Sequence, residues 1–212
     1  ISNTISLLKK RNLLIFCLIL LFCCLFLISA SPITHSDSLD YHFIGAINLL
    51  KKGHFHKDIM PMHNNLVSIG EIMLALGLSL MSEEFGGIIQ FSSLLALIPF
   101  FWKKDLKKLF LILILTCPIT FFLVSSPKPQ LLFCISTFLI FIFLSRVASS
   151  LNNYQLKIIF PIVILVLSIN SLSKYSFLLS SILLGGFFLY IMFRKKLFVF
   201  SIISIILVFS VT

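Results

Sequence analysis

Long apolar runs recur along almost all of this sequence, and they limit its fold more than any other feature. Most are about 16 to 18 residues long, with short polar segments between them. Inside a bilayer, where no water can bond the backbone, such a run must be helical so that each N–H and C=O finds a partner within the segment. The composition agrees, because 59% of the residues are hydrophobic and 11% are charged, against roughly 25% charged residues in soluble domains. The sequence therefore predicts an all-α polytopic membrane protein.

The apolar runs predict about seven transmembrane helices. The chain begins at Ile1 and stops at Thr212 inside an apolar run. We therefore expect an N-terminal fragment that forms a single transmembrane domain over residues 1–212, with its first run kept as an uncleaved anchor. The predicted spans are 13–30, 86–102, 109–126, 130–147, 158–173, 177–193 and the incomplete 197–212.

One further run, Leu66 to Met81, decides the topology. If it lies flat on the outer surface, twelve of the 17 Lys and Arg residues fall in cytoplasmic segments, as the positive-inside bias favours. If it spans, the twelve Lys and Arg residues lie outside instead and only five lie in cytoplasmic segments, against that bias. Its 16 residues make about 24 Å of helix, short of a hydrocarbon core of about 30 Å. Glu71 would cost about 2.5 to 3.5 kcal/mol near a membrane centre. We therefore predict an interfacial helix. Its small and polar residues form a narrow stripe on the otherwise apolar surface, namely Ser68, Glu71, Ala75, Ser79 and Ser82.

This topology places nearly all ionisable chemistry in one non-cytoplasmic loop, residues 31–85, which we expect to carry two surface helices. All five His residues lie between residues 31 and 65, and six of the seven acidic residues lie between 31 and 85. A solvated loop also collects polar residues without any function. Acid, base or metal chemistry has few other places in this chain, so the loop is the candidate functional region.

An acidic segment opens the helix predicted to end at Gly53. Asp37, Asp40 and Tyr41 are three and four residues apart, so their side chains project from one side of the helix start. The pair of carboxylates is a candidate for general acid–base chemistry. The same spacing also fits a purely structural role, with Asp37 as the N-cap and Asp40 as a first-turn acid that the helix dipole favours.

From these residues onward the chain resembles the membrane-embedded type C glycosyltransferases, which include protein O-mannosyltransferases and the lipid A aminoarabinose transferase. The segment from Asp37 to Phe43 is similar to the family's acidic opening, and Leu66 to Met81 to its second surface helix. Ser125 to Gln130 lies where the family has a second outer turn. Ser173-Lys174-Tyr175 resembles a Thr-Lys-Gly element. The chain departs from the family where Ser38 replaces a second adjacent acid and where Pro127 to Gln130 lacks an acid.

The resemblance implies transfer of a sugar from a polyprenyl-phosphate carrier to a glycan, lipid or protein acceptor, with inversion at the anomeric carbon. Asp37 would be the general base, with Asp40 as its alternative or partner. Lys128 and Lys174 would neutralise the leaving phosphate, although a lysine at a span end also commonly extends its amine into water. Tyr41 and His42 would bind substrate.

Other functions stay open. A divalent metal is a further candidate, because His35, Asp37, His42, His54, His56 and His63 supply suitable donors, although they show no recognised ligand spacing. A multi-span transporter or lipid flippase would require buried charges or helix breaks in mid-membrane. The mid-span interruptions here are slight, namely Pro118, Asn170 and Gly185-Gly186. A non-catalytic membrane assembly protein is the third alternative.

Nucleic acid is not an expected partner, because no basic surface is interleaved with aromatic residues. The net charge of +10 is explained by cytoplasmic loops that meet anionic membrane lipid. We expect a bacterial inner-membrane protein with a cytoplasmic N-terminus and a periplasmic loop 31–85.

Overall fold

The computed structural model describes residues 2–34, 42–54, 69–102, 104–128, 130–146, 150–173 and 175–197, together with residues 202 and 206. Every regular element in these ranges is a helix, so the predicted all-α class is confirmed. The helices are α1 Ser2–Ser29, α2 Ile44–Lys52, α3 Ile69–Ser79, α4 Phe85–Leu95, α5 Ile98–Phe101, α6 Asp105–Thr116, α7 Pro118–Val124, α8 Gln130–Arg146, α9 Asn153–Ser173 and α10 Tyr175–Arg194.

Several of these helices could span a membrane. Three are long and apolar enough, at Asn12–Ser29 in α1, Asn153–Ser173 in α9 and Phe177–Arg194 in α10, and the bent pair α6–α7 could make a fourth. The predicted spans 86–102 and 130–147 correspond to the shorter apolar helices Phe85–Phe101 and Gln130–Arg146. The run 197–212 lies almost entirely outside the described residues. The helix lengths therefore support several spans without establishing seven.

The predicted span 109–126 is broken in the middle. Helices α6 and α7 meet at an angle of 62° because Cys117 is extended and Pro118, which has no N–H to continue a helix, starts α7. The Thr120 hydroxyl donates to the Ile114 carbonyl at 2.7 Å. This bond satisfies one of the acceptors that the end of α6 leaves without a helical partner.

Helices α2 and α3 pack side by side and run in roughly the same direction, because His42 and Gly45 lie beside Glu71 while Ala46 contacts Leu74 and Ala75. Gly53 ends α2 as predicted, with φ 71° and its N–H bonded to the Leu49 carbonyl. Ala46 packs against Leu74 and Ala75 of α3. Helix α3 has 11 residues, about 16 Å by the rise of an α-helix, so it is too short to span.

The small and polar stripe of α3 lies partly inside the protein. Glu71 and Ala75 are buried, and Ala75 packs against Ala46 of α2, whereas Ser79 is exposed. Ile72 and Leu76 are exposed on the outward face. Glu71 is buried because it finds charged partners inside the protein, which the sequence pattern does not reveal. That α3 lies in the membrane interface stays a prediction.

The described chain divides into two compact units, Ile1–Leu132 and Phe133–Thr212. In the first unit α1 and α4 run antiparallel, because Gly87 lies against the Ser29 carbonyl while the Phe91 ring contacts Phe22 and Phe26 at centroid distances of 6.3 and 5.5 Å. Gly86 lies against the backbone of Pro127. The end of α1, the start of α4 and the turn after α7 therefore meet at one end of this unit. This agrees with the expectation that loop 31–85 and turn 125–130 share a side.

The second unit is held by apolar packing and by hydrogen bonds, one of which runs from the Lys195 amine to the Leu151 carbonyl at 3.2 Å. Phe160 of α9 stacks on Phe188 of α10 at 5.9 Å. The Asn170 side chain joins α9 to α8, donating to the Thr137 hydroxyl at 3.1 Å and accepting from the Ser136 hydroxyl at 3.0 Å. Asn170 is therefore a contact between helices within an unbroken α9, not an interruption of it.

Candidate functional site

A buried carboxylate, Glu71, is the centre of the candidate site. Its Oε1 atom accepts a hydrogen bond from His42 Nδ1 and lies 3.3 Å from Lys128 Nζ. Glu71 is 2% exposed, and His42 and Lys128 are each 8% exposed. A carboxylate removed from water is unstable unless it is paired and hydrogen-bonded. The three side chains, which we call the Glu71 cluster, therefore form one electrostatic unit.

The pair α2–α3 places two members of the Glu71 cluster. His42 immediately precedes the start of α2, and Glu71 lies in the first turn of α3. The two helices approach closely at Ala46, which is fully buried against Leu74 and Ala75. A Cβ atom at Gly45 would lie in ordinary contact with Glu71 Cγ, at 3.9 Å. The packing of α2 on α3 thus brings the imidazole next to the carboxylate.

Gln90 holds the turn that carries Lys128. Its Nε2 donates to the Leu123 carbonyl, to the Ser126 carbonyl at 3.1 Å and to the Lys128 carbonyl at 2.9 Å, and its Oε1 accepts from the Leu131 N–H at 2.6 Å. The side chain is fully buried. A single glutamine of α4 therefore satisfies backbone groups on both sides of the turn, and its amide fixes where the Lys128 backbone lies.

Two glycines at the start of α4 allow this turn to approach. A Cβ at Gly86 would overlap the Pro127 backbone, and one at Gly87 would lie 2.5 Å from the Ser29 carbonyl oxygen. Neither backbone neighbour can move aside as a flexible side chain would. Glycine is thus needed at both positions for α1, α4 and the Lys128 turn to meet.

Two of the residues predicted for the site are brought together. His42 and Lys128, which are 86 positions apart in the sequence, meet at Glu71. The alternative interpretation of Lys128, an interfacial lysine with its amine in water, is wrong because that amine is buried in an ion pair. Asp37, Asp40, Tyr41 and Lys174 lie outside the described residues, so their roles stay predictions.

The sequence analysis missed the importance of Glu71 and Gln90. Both had a signal: each is the strongly polar residue of an otherwise apolar run, and such a residue requires a partner inside the protein. Glu71 was used only as an argument about topology. Its partners lie 29 and 57 positions away along the chain, and no spacing rule connects them.

The metal hypothesis receives no support from the residues that the structure describes, among which no three His, Cys, Asp or Glu side chains are grouped as ligands. His35, Asp37, His56 and His63 lie outside those residues, so a metal site that includes them stays a prediction. Metal sites in proteins use His, Cys, Asp or Glu side chains as ligands rather than lysine. Lys128 therefore serves here to neutralise Glu71 and not to bind a metal.

The comparison with known protein families identifies one match. No curated protein and no solved structure matches this chain. The family model described as the DUF1420 N-terminal domain matches residues 1–212. Because that match spans the whole sequence, the chain belongs to the DUF1420 family, within its N-terminal domain.

Proposed function

We propose that this protein is an integral-membrane glycosyltransferase that moves a sugar from a polyprenyl-phosphate carrier to an acceptor on the non-cytoplasmic face. One observation carries the proposal: His42 and Lys128, from the two segments expected to form the substrate site, converge on buried Glu71. Apolar helices that could cross a membrane accompany this cluster. A lipid-linked donor requires both features, an apolar surround for its tail and cations beside its phosphate.

The location of the Glu71 cluster favours an enzyme that acts at the membrane surface. The cluster is tied to the Lys128 turn, which packs beside the end of α1 and the start of α4. Helix ends are where a lipid headgroup would lie. In the proposed topology the N-terminus is in the cytoplasm of a bacterium, seven helices cross the inner membrane, and this end faces the periplasm.

The proposed reaction uses a base and an anion site. The acceptor hydroxyl transfers its proton to Asp37, or to Asp40, and its oxygen forms the new bond to the anomeric carbon. The bond from that carbon to the phosphate oxygen breaks, and the polyprenyl phosphate leaves with the bonding electrons. The base must lie within about 2.6 to 3.2 Å of the hydroxyl. Asp40 precedes His42 by two positions.

Lys128 and His42 would stabilise the leaving phosphate. Fixed cations aimed at developing negative charge lower the barrier most when water is excluded, and both side chains are buried. Lys174 remains a second candidate for the same role.

The test is sugar transfer from a radiolabelled polyprenyl-phosphate-sugar pool by membranes that carry the full-length protein. Asp37→Asn, Asp40→Asn and Lys128→Gln are compared with Asp105→Asn, which makes the same acid-to-amide change beside Lys108. We expect loss of transfer in Lys128→Gln and in at least one loop variant, and normal transfer in Asp105→Asn. Transfer is expressed per amount of folded protein, because Lys128→Gln also removes the buried partner of Glu71. Undiminished transfer in the other three variants, or no transfer by the native protein, would contradict the proposal.

One observation favours a second candidate, a transporter or lipid flippase. The 62° break between α6 and α7 is the kind of discontinuous helix on which transporters build substrate sites. In reconstituted vesicles a flippase would move a labelled polyprenyl-phosphate sugar between leaflets without consuming it. The glycosyltransferase would consume the donor only when an acceptor is supplied.

A further inference from the structure

An apolar groove lies on the first unit, on the face formed by α1 with α4 and α5. Its volume is about 950 Å³, and its walls are formed by Leu18, Phe22, Cys23, Phe91, Leu95 and Trp102, among others. Several wall residues are exposed, including Trp102 at 44%. A groove with apolar walls on a membrane-crossing helix accommodates a hydrocarbon chain.

The two ends of the groove differ in charge. Since α1 and α4 run antiparallel, the end near Phe26 lies toward Ser29, and the end near Leu18 lies toward Trp102. The turn from Trp102 leads directly into residues 103–108, which contain four lysines and one aspartate. The groove therefore has one basic end, which we call the basic turn.

Residues 104–108 of the basic turn lie in the described part of the chain. Lys108 is 4% exposed, and its Nζ lies 5.6 Å from the centroid of the Trp102 ring. The same amine lies 3.0 Å from Asp105 Oδ1, so the acidic group of the turn is already neutralised. Lys104 is exposed, and the half-buried Lys107 has its Nζ 3.5 Å from the Phe100 carbonyl oxygen. These two lysines bring positive charge close to the Trp102 end of the groove.

We propose that the groove binds one anionic phospholipid, with an acyl chain between α1 and α4–α5 and the headgroup phosphate at Lys104 and Lys107. Three features of the groove match such a lipid. The apolar walls fit the acyl chain, Trp102 is a residue type that favours the membrane interface, and the positive charge beside it attracts an anionic headgroup. A second copy of the chain fits less well, because a twofold dimer through this groove would bring two basic turns together. The site is independent of the proposed sugar transfer.

A native cysteine provides the test. Cys23 is exposed and forms part of the groove wall. Cys24, the next residue, is also exposed but does not line the groove. Purified full-length protein in detergent is treated with N-ethylmaleimide, with and without phosphatidylglycerol, and peptide mass spectrometry follows both thiols in the same molecules. At a lipid concentration about ten times Kd, roughly one tenth of the grooves stay empty, so modification of Cys23 slows about tenfold while that of Cys24 is unchanged.

Lysine variants test the headgroup. Each of Lys104→Gln and Lys107→Gln should weaken protection of Cys23 by phosphatidylglycerol about fivefold, the factor expected for one interfacial lysine. Lys51→Gln and Lys52→Gln, which change exposed lysines at the end of α2, should leave it unchanged.

Three results would overturn the assignment. Equal protection by phosphatidylcholine with the same acyl chains would mean that the headgroup is not recognised. Equal protection of Cys24 would indicate a general effect of the micelle. Stronger protection by a polyprenyl phosphate that persists without Lys104 and Lys107 would assign the groove to that carrier.

Discussion

The two units of this protein bury different kinds of polar group. The buried ionisable side chains in the described part of the chain, His42, Glu71, Lys108 and Lys128, all belong to the first unit. The buried polar groups of the second unit are neutral, such as Asn170 and Ser181. Charge is costly to bury and is kept where it serves a function. The contrast supports the proposal that the first unit carries the chemistry; Lys174 of the second unit, the other candidate cation, lies outside the described residues.

The largest expected effect comes from removing the carboxylate of the Glu71 cluster. Glu71→Ala leaves Lys128 buried without its carboxylate, and breaking a buried ion pair in this way costs about 3 to 5 kcal/mol. The free energy of unfolding in detergent, measured with a chemical denaturant, should fall by that amount. A loss below about 1 kcal/mol, the range of exposed pairs, would mean that the cluster is solvated and that the contrast between the units is weaker than it appears.

The next largest effect is expected at Gln90. In Gln90→Leu the Ser126 carbonyl and the Leu131 N–H lose the bonds that Gln90 makes to them, while the Lys128 carbonyl keeps the Gln130 N–H, and the change should cost about 3 kcal/mol. The same denaturation measurement checks the value. Sugar transfer should fall as well if the Lys128 turn is part of the site. An unchanged stability would show that these backbone groups find other partners.

A smaller effect is expected at Gly86. A Cβ there would overlap the Pro127 backbone, and Gly86→Ala should destabilise the protein by about 2 kcal/mol, as overpacking commonly does. Gly186 in α10 is the matched control, because nothing lies within 4 Å of a Cβ added there. Gly186→Ala should be neutral or stabilise α10 by up to about 1 kcal/mol. Equal effects at the two glycines would contradict the close approach of α4 to the turn.

The smallest effect is expected at Asn170 in the second unit. Asn170→Leu removes its bonds to Ser136 and Thr137, and hydrogen bonds between helices in a membrane contribute about 0.6 kcal/mol on average. For the two bonds we therefore expect a loss of about 1 kcal/mol in the free energy of unfolding and no loss of sugar transfer. Loss of transfer at a normal protein level would mean that the second unit takes part in the chemistry, and would contradict the proposed difference between the two units.

Helix positions were largely predictable from the sequence because apolar length decides them. The predicted span 177–193 falls within the observed α10, Tyr175–Arg194, and 130–147 corresponds to Gln130–Arg146. The break in 109–126 was not predicted at its full size. Pro118 marks the position, but a proline can kink a helix or end it, and the contact of Thr120 with Ile114 helps to stabilise the second outcome.

The candidate site was predictable only in part. Lys128 could be selected as a cation at the end of an apolar run and His42 as a neighbour of the acidic segment. Their meeting point could not be predicted, since the packing of α2 on α3 decides which way Glu71 points. One sequence shows that Glu71 needs a partner and does not show which one. The same limit applies to Gln90, whose bonds are to backbone groups that any sequence would supply.

The most direct test of the central claim replaces the ion pair by apolar residues of similar size. The double variant Glu71→Leu, Lys128→Met removes both charges of the ion pair, so neither is left buried without its partner. Such replacements are often neutral or stabilising for the fold. The measurement is sugar transfer from the radiolabelled donor pool, made on protein whose Tm is near the native value. We predict a folded protein without transfer. Transfer at the native rate would show that the Glu71 cluster only stabilises the fold, and would contradict its role in the proposed site.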